Sequence, residues 1–257
     1  SYRGDDGDLF LYIVDERCHG DAGGFVMTAR VNEETGELTQ HGNIVLASPD
    51  TAGGMGTCHV SVAPGGRHVF IANYGGGSVA AVERHIDGTL GARTSYIRLP
   101  PPSSAGIISF PGPNPARQEA SHAHMAHVLP KAKEDGSFTV LVPDLGSDTV
   151  WSMNYNATII DDPLRLIMPP LPTHPILSGG GPRHLALHPS KPIVYVAFEL
   201  TSQIAAFSIN PSTGSITGPP LPPGPVNSLD VRNLPSNTSR SQLAHPFCDM
   251  STDDGDD

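Results

Sequence analysis

The chain has 257 residues, of which 38% are hydrophobic and 16% charged, a composition that permits a globular core and argues against wholesale disorder. Its 15 Lys and Arg against 26 Asp and Glu give a formal net charge of −11, and aromatic residues make up only 6%. Nucleic acids and anionic membranes attract clustered cations, and single-stranded nucleic acids also need aromatic platforms, so neither is expected as a partner.

The sequence also bears on the compartment. No apolar run reaches the roughly 18 residues that span a bilayer, and the first residues lack an apolar secretory core. The three cysteines, Cys18, Cys58 and Cys248, are odd in number, far apart and in no CxxC spacing. A reduced, cytoplasmic chain is therefore expected.

The 28 glycines and 26 prolines disfavour helices and favour short strands joined by tight turns. The first predicted strands cover 10–14 and 24–28, before a turn at 35–38. Three further groups of strands follow, and the second and last of the four groups share a strand that begins with His and ends at a Pro turn. Their predicted strands are 59–64, 68–73 and 78–82, then 124–128, 138–142 and 149–153, then 184–189, 193–198 and 203–207.

This pattern repeats with a period of roughly 50–60 residues, which is typical of propeller blades. We therefore predict an all-β chain: a β-propeller of four-stranded antiparallel blades, with about four blades present. A β-sandwich is the alternative, but it would not repeat the His-to-Pro strand in register.

The blades are predicted to cover residues 1–217, and residues 218–257 form a Pro-rich segment and an acidic tail expected to be poorly ordered. A propeller protects its strand edges by closing into a ring, and four blades with this tail do not supply an obvious closure. The chain is therefore interpreted as a fragment of a longer protein.

The repeat places polar residues at equivalent strand ends. Glu199 follows His184 by fifteen positions, as Tyr74 follows His59, and Asp144 ends the corresponding strand of the third unit. Because propeller sites lie where such ends converge, one face of the propeller is the expected site.

Two segments are chemically richer than a blade requires. Residues 112–124 contain Arg117, Glu119 and the spaced pair His122 and His124, which point the same way if the chain is extended. Arg117 and Glu119 are near enough to pair with one another. Residues 179–184 place three glycines beside Arg183, whose guanidinium suits carboxylate or phosphate.

Five stretches together resemble the seven-bladed propeller lactonases, a family that includes bacterial 6-phosphogluconolactonase and is related to fungal carboxy-cis,cis-muconate cyclase. They are ANYGGGSV at 72–79, GPNPARQE at 112–119 with HAH at 122–124, VPDLGSD at 142–148, GPRH at 181–184, and the Glu199–Leu200 pair. The resemblance covers about residues 10–217, which correspond to the second to fifth of the family's seven blades.

The resemblance implies catalytic roles for His124, Arg183 and Glu199. A further arginine of the family, from a later blade, has no counterpart in this chain. The implied function is hydrolysis of a sugar lactone, 6-phosphogluconolactone above all. The alternatives are a cycloisomerase of the muconate cyclase type and a non-catalytic propeller that binds a protein partner.

Lactone hydrolysis needs a base to activate water and a cation to stabilise the charge on the carbonyl oxygen. Glu199 or His124 is the candidate base, and Arg183 is the candidate cation for an anionic substrate. The remaining expected substrate contacts are His122, Arg117, Asn73, Tyr74 and Asp144, although Asn73, Tyr74 and Asp144 are also suited to turns. No cofactor and no metal is expected, because one HxH segment is a weak signal.

Overall fold

The computed structural model describes residues 1–4, 7–16, 24–49, 56–100, 111–167, 178–210, 213–222 and 226–227. These residues form short strands, and the described part of the chain contains a 3-10 turn at Pro64–Gly66 but no α-helix. No helix in these ranges is long and apolar enough to cross a membrane. The prediction of an all-β chain is confirmed.

The described strands belong to four antiparallel sheets in chain order. The first sheet contains β1 (Tyr2–Arg3), β2 (Leu9–Val14), β3 (Phe25–Val31), β4 (Leu38–Gln40) and β5 (Val45–Leu46). The second contains β6 (Thr57–Val62), β7 (His68–Asn73), β8 (Ser78–Arg84) and β9 (Leu90–Arg98). The third contains β10 (His127–Val128), β11 (Phe138–Asp144), β12 (Thr149–Tyr155) and β13 (Leu164–Leu166). The fourth contains β14 (Pro182–Leu187), β15 (Ile193–Phe198), β16 (Gln203–Ile209), β17 (Ile216–Thr217) and β18 (Val226–Asn227).

Each sheet is a meander in which consecutive strands pair. In the first sheet β4 and β5 both pair with β3, at opposite ends, so together they form one interrupted outer strand. In the fourth sheet β17 and β18 share β16 in the same way. Each sheet therefore has the four-strand layout of a propeller blade, as predicted.

Three apolar cores lie between successive sheets. Along β7, Val69 and Ile71 join the core shared with the first sheet, whereas Phe70 and Ala72 join the core shared with the third. This alternation follows from the period of two along a strand, and all six residues of β7 are buried because both faces of the sheet are covered. The third core joins the third and fourth sheets, with Phe198 and Phe207 among its largest members.

Matching backbone hydrogen bonds align three of the sheets residue by residue. The amides of Tyr74, Leu145 and Glu199, each directly after the second strand of its sheet, donate to the carbonyls of Gly56, His122 and Gly181 respectively. The alignment confirms that Tyr74 and Glu199 occupy equivalent positions.

The same three sheets carry one extra residue at the beginning of the innermost strand. The register shifts by one between Thr57 and His59 on β6, and again between Pro182 and His184 on β14. The third sheet has the same shift. Ala123 pairs with Asp144, but His127 on β10 pairs with Leu141, which is one residue out of the register that Ala123 sets. Such a bulge turns the extra side chain out of the strand's normal alternation. The residues at this bulge position are Cys58, His124 and Arg183.

The predicted boundary at residue 217 coincides with the end of β17. β18 lies beyond that boundary and pairs with β16, so the fourth sheet extends past it. Residues 228–257, which hold most of the predicted tail, lie outside the described residues, and the prediction that they are poorly ordered stays a prediction.

Candidate active site

Four polar side chains meet at one end of the sheets. Tyr74 and Glu199 come directly after second strands, and His124 and Arg183 come from the bulge position of innermost strands. Arg117, from the segment before β10, completes the group. The structure thus brings together all three predicted catalytic residues and two of the five predicted substrate contacts, Arg117 and Tyr74, while a third, His122, stacks on Tyr74.

The carboxylate of Glu199 lies between two guanidinium groups. Nη2 of Arg117 donates to Oε1 at 2.8 Å, and Nε of Arg183 lies 2.9 Å from Oε2. The Nε–H of Arg183 is aligned with Nε2 of His124 instead, at 3.1 Å. Oε2 is consequently buried beside a cation, yet it accepts no hydrogen bond from any described residue.

Arg183 is anchored at one nitrogen and open at the others. Its Nε is held by His124 and Glu199, while 38% of the side chain is exposed. Neither terminal nitrogen has a hydrogen-bond partner within the described ranges. A partly exposed guanidinium fixed at Nε is suited to bind an anion in two-point fashion through its terminal N–H groups.

His124 is held neutral. Burial of the ring, with the nearby charge of Arg183, lowers the pKa of His124 to about 3. Its Nε2 lone pair already accepts the Nε–H of Arg183. Of the two candidate bases, His124 is therefore the one whose lone pair is occupied, and the geometry favours Glu199.

The Tyr74 side chain contacts both histidines and Arg117 of the site. It stacks on His122 with ring centroids 4.3 Å apart and meets His124 edge-on at 5.5 Å. Its hydroxyl accepts a hydrogen bond from Nη2 of Arg117 at 3.0 Å. Burial raises the pKa of Tyr74 to about 12, so this hydroxyl stays protonated near neutral pH.

His122 is held in the charged form. Nδ1–H donates to the carbonyl of Tyr74 at 3.0 Å and Nε2–H donates to Oε1 of Glu119 at 2.8 Å. Burial alone would lower the pKa of His122, but these bonds and the charges of Glu119 and Asp144 outweigh it and raise the pKa. Glu119 thus pairs with His122, whereas Arg117, which is near enough to Glu119 in sequence to pair with it, reaches across to Glu199.

Two predicted substrate contacts are not brought into this group. Asn73 is fully buried, where its side chain donates to Ser78 and accepts from Thr57, both at 2.9 Å. Asp144 is fully buried too, and its Oδ1 accepts the amide of His122 at 2.6 Å while Oδ2 accepts the indole N–H of Trp151 at 3.0 Å. Both end a second strand and hold turns together, so in this geometry neither faces the substrate.

The glycine-rich segment before β14 is held by Asp148. The carboxylate of Asp148 accepts the amides of Gly179 at 2.6 Å and Gly181 at 2.9 Å, and the side-chain amide of Gln118 at 2.7 Å. Gly181 has a φ of 63°, and a Cβ there would lie 2.7 Å from Cγ of Leu200. These glycines therefore serve the close packing that places Arg183, and their amides are used within the protein.

Cys58 is the site residue that the sequence prediction missed. Its Sγ lies 3.8 Å from Nδ1 of His124. The signal was present in the repeat, because the equivalence of His59 and His184 also makes Cys58 equivalent to Arg183. In the described part of the chain no group of three or more His, Cys, Asp or Glu is arranged to hold a metal ion.

Residues 5–219 match the family model described as lactonase, 7-bladed beta-propeller. The chain is 28% identical over 207 residues to the 6-phosphogluconolactonase of Bacillus subtilis, covering 80% of this chain and 50% of the relative. It is 26% identical over 192 residues to that of Cronobacter sakazakii, covering 74% and 46%. The chain thus spans about half the length of the curated relatives it matches.

Among solved structures the fold is similar to a periplasmic gluconolactonase of Pseudomonas aeruginosa, with a TM-score of 0.65 and 24% identity over 92% of this chain and 58% of that one. The match of the family model over most of the chain, together with four meander sheets stacked in chain order, establishes that this chain belongs to the seven-bladed β-propeller lactonase family.

Proposed function

We propose that the protein hydrolyses a sugar lactone, 6-phosphogluconolactone to 6-phosphogluconate, as part of carbohydrate metabolism through the pentose phosphate pathway. The relatives named 6-phosphogluconolactonase support the substrate class. The single observation that carries the chemistry is the buried Oε2 of Glu199, which accepts no hydrogen bond from a described residue and lies 2.9 Å from the Arg183 guanidinium.

Glu199 is assigned as the general base. Its Oε1 is held by Arg117, which leaves Oε2 to accept a proton from a water molecule. The water oxygen forms a bond to the lactone carbonyl carbon while its proton passes to Oε2. The ring C–O bond then breaks, and the proton returns to the departing ring oxygen. Glu199 is regenerated, and no cofactor enters the balance.

Arg183 is assigned the role of binding negative charge on the substrate. Its terminal N–H groups stabilise the oxyanion that develops on the carbonyl oxygen, or hold the phosphate of the substrate. Arg117 and Arg183 both face the carboxylate of Glu199, so two guanidinium groups lie at one end of the sheets within an acidic chain. Guanidinium groups suit an anionic small molecule as the partner.

We also propose a cytoplasmic location, where such a phosphorylated substrate would be found. The support is Cys58, a free thiol beside the site.

The test is hydrolysis of 6-phosphogluconolactone above its spontaneous rate by the full chain, after size-exclusion chromatography has selected folded, monodisperse material. Glu199→Gln keeps the shape of the side chain but cannot take the proton, so we expect a loss of at least about a hundredfold in kcat. Glu134→Gln is the matched control, because Glu134 is exposed on the turn before β11. It is expected to retain full activity.

Enzyme-dependent turnover that disappears only in the Glu199 variant would support the proposal. Folded protein without any turnover would contradict it, and turnover of a carboxymuconate in its place would favour the cycloisomerase. Equal activity of the two variants would show that Glu199 is not the base.

A further inference from the structure

Cys58 lies on the Nδ1 edge of the His124 ring, at 3.8 Å. Its thiol also lies 3.5 Å from the carbonyl of Ala123, 3.6 Å from that of His124 and 3.7 Å from that of Ala72. Burial raises the pKa of this thiol, which therefore stays protonated. The S–H can donate to a carbonyl while the sulfur lone pairs remain available to an N–H group.

The opposite edge of His124 determines where its proton must be. Arg183 carries only donors, and its Nε–H points at Nε2 of His124 at 3.1 Å. Nε2 must therefore be unprotonated, so the proton of the neutral ring is at Nδ1. There it faces the sulfur of Cys58 and the ring's own backbone carbonyl.

The repeat explains why the sulfur is at this place. Cys58, His124 and Arg183 occupy the same bulge position in three successive sheets, so their side chains form a row Cys58–His124–Arg183 at one end of the sheets. The row continues to Glu199, which Arg183 contacts at 2.9 Å. Each member thus orients the next.

We propose that Cys58 is a positioning residue of the site: its sulfur accepts the Nδ1–H of His124 and so keeps the Nε2 lone pair directed at Arg183. The inference rests on the proposed lactonase function for its kinetic consequence, but not for its structural one.

A change of the His124 tautomer would displace Arg183. If the ring changed to the Nε2–H form, two N–H donors would face each other at 3.1 Å, and the guanidinium would have to move away. Its terminal nitrogens would then no longer be held where they meet the substrate. The loss of Cys58 should therefore weaken binding of the anionic lactone more than it slows the chemical step.

The test combines nitrogen NMR of the histidine rings with kinetics on the full chain. In the wild type, long-range ¹H–¹⁵N correlations should show His124 protonated at Nδ1. Cys58→Val removes the sulfur at similar volume and leaves the ring's own carbonyl as the acceptor at Nδ1. It is expected to introduce the Nε2–H form, with a rise of about three- to tenfold in KM and little change in kcat. Cys58→Ser keeps an acceptor and should retain most of the wild-type pattern.

Ser61→Ala is the matched control. Ser61 lies on the same strand and donates to the carbonyl of Ala126, the residue before β10, and it makes no hydrogen bond to His124. It is expected to change neither the tautomer nor KM. If Cys58→Val does not fold, Cys58→Ala replaces it.

A wild-type ring protonated at Nε2 overturns the inference, and so does a folded Cys58→Val or Cys58→Ala variant whose ring stays wholly in the Nδ1–H form. A shift of tautomer in the variant supports it. If the wild type is inactive on the lactone, the proposed function fails while the NMR comparison still decides the role of Cys58.

Discussion

Two histidines contact the Tyr74 ring in opposite charge states, one on the carboxylate side of the site and one on the guanidinium side. On one side His122 stacks on the ring with both nitrogens donating, one of them to the carboxylate of Glu119. On the other side His124 meets the ring edge-on and accepts a hydrogen bond from Arg183. The residues are two positions apart in the chain, yet the pKa of His122 is raised and that of His124 is lowered to about 3.

Both rings are buried, and burial lowers the pKa of each, so the difference shows that the group bonded to a buried ring decides whether it keeps its charge. The carboxylate side forms a cationic ring that anchors the 112–124 segment. The guanidinium side forms a neutral ring that orients a cation. Of these two sides, only the second carries an exposed guanidinium whose terminal N–H groups have no hydrogen-bond partner among the described residues.

Acidification is expected to produce the largest change in stability, through protonation of His124. The folded pKa of His124 lies below the ordinary value of 6.5, so the unfolded chain binds the proton first as the pH falls. The unfolding free energy therefore decreases below about pH 6.5, by about 2 kcal/mol for such a ring between pH 7 and pH 5. Urea denaturation at a series of pH values measures this slope.

His124→Gln is the variant that isolates this ring. The Gln carbonyl can still accept the Nε–H of Arg183, but the side chain cannot be protonated. The decrease between pH 7 and pH 5 should therefore be smaller than in the wild type by about 2 kcal/mol. His59, whose pKa burial lowers to about 4, would continue to contribute in both proteins. Equal slopes would show that His124 is not neutral in the fold.

Removal of the Arg183 guanidinium tests the guanidinium side through enzymatic activity. Arg183→Ala should reduce kcat/KM by at least about thirtyfold, which corresponds to about 2 kcal/mol of transition-state stabilisation. The melting temperature should also fall, because Nε2 of His124 loses its donor and the buried carboxylate of Glu199 loses one of its two cations, so the kinetics are measured at a temperature at which both proteins are folded. Arg165→Ala, an exposed arginine paired with Asp162, is the matched control for kinetics. Unchanged turnover in the Arg183 variant would remove it from the site.

The sequence predicted the blades because their signal is local and repeated. Alternating apolar residues, Pro turns and a constant interval place β6, β7 and β8 and their counterparts in the fourth sheet within a few residues. The same register correctly made Tyr74 and Glu199 equivalent. Contacts between distant segments are not predictable in this way: Arg117 reaches Glu199 across 82 positions, whereas the sequence shows only that Glu119 is near enough to pair with it.

Asn73 shows why individual site residues are harder to predict than the blade that holds them. It is the last residue of β7 and lies fully buried, while Tyr74, one position later, turns toward the site. Two consecutive residues thus have different roles: Asn73 stabilises the sheet, and Tyr74 belongs to the site. Sequence alternation alone does not reveal where a second strand ends, so the sequence predicts both Asn73 and Tyr74 as substrate contacts.

The pair of His122 and Glu119 on the carboxylate side gives the smallest expected change in stability. Because the folded pKa of His122 is raised, the pair with Glu119 contributes stability that is fully present below the ordinary pKa and is lost as the pH rises through the folded one. The pKa of Glu119 is lowered, since the hydrogen bond from His122 and neighbouring charges outweigh its burial, so its contribution is lost on acidification. The pair is thus most stabilising between the two titrations.

Glu119→Gln keeps an oxygen for His122 but removes the charge. The side chain of Glu119 is 47% exposed, so solvent screening limits the pair to less than about 1 kcal/mol. Titration of the ring protons by NMR is the sharper measurement: the pKa of His122 should fall in the variant, whereas His124 should remain neutral over the same range. A His122 ring that titrates at the same pH in both proteins would mean that Glu119 does not hold its charge, and the contrast between the two sides of the site would then have to originate in the carbonyl of Tyr74 and in Asp144.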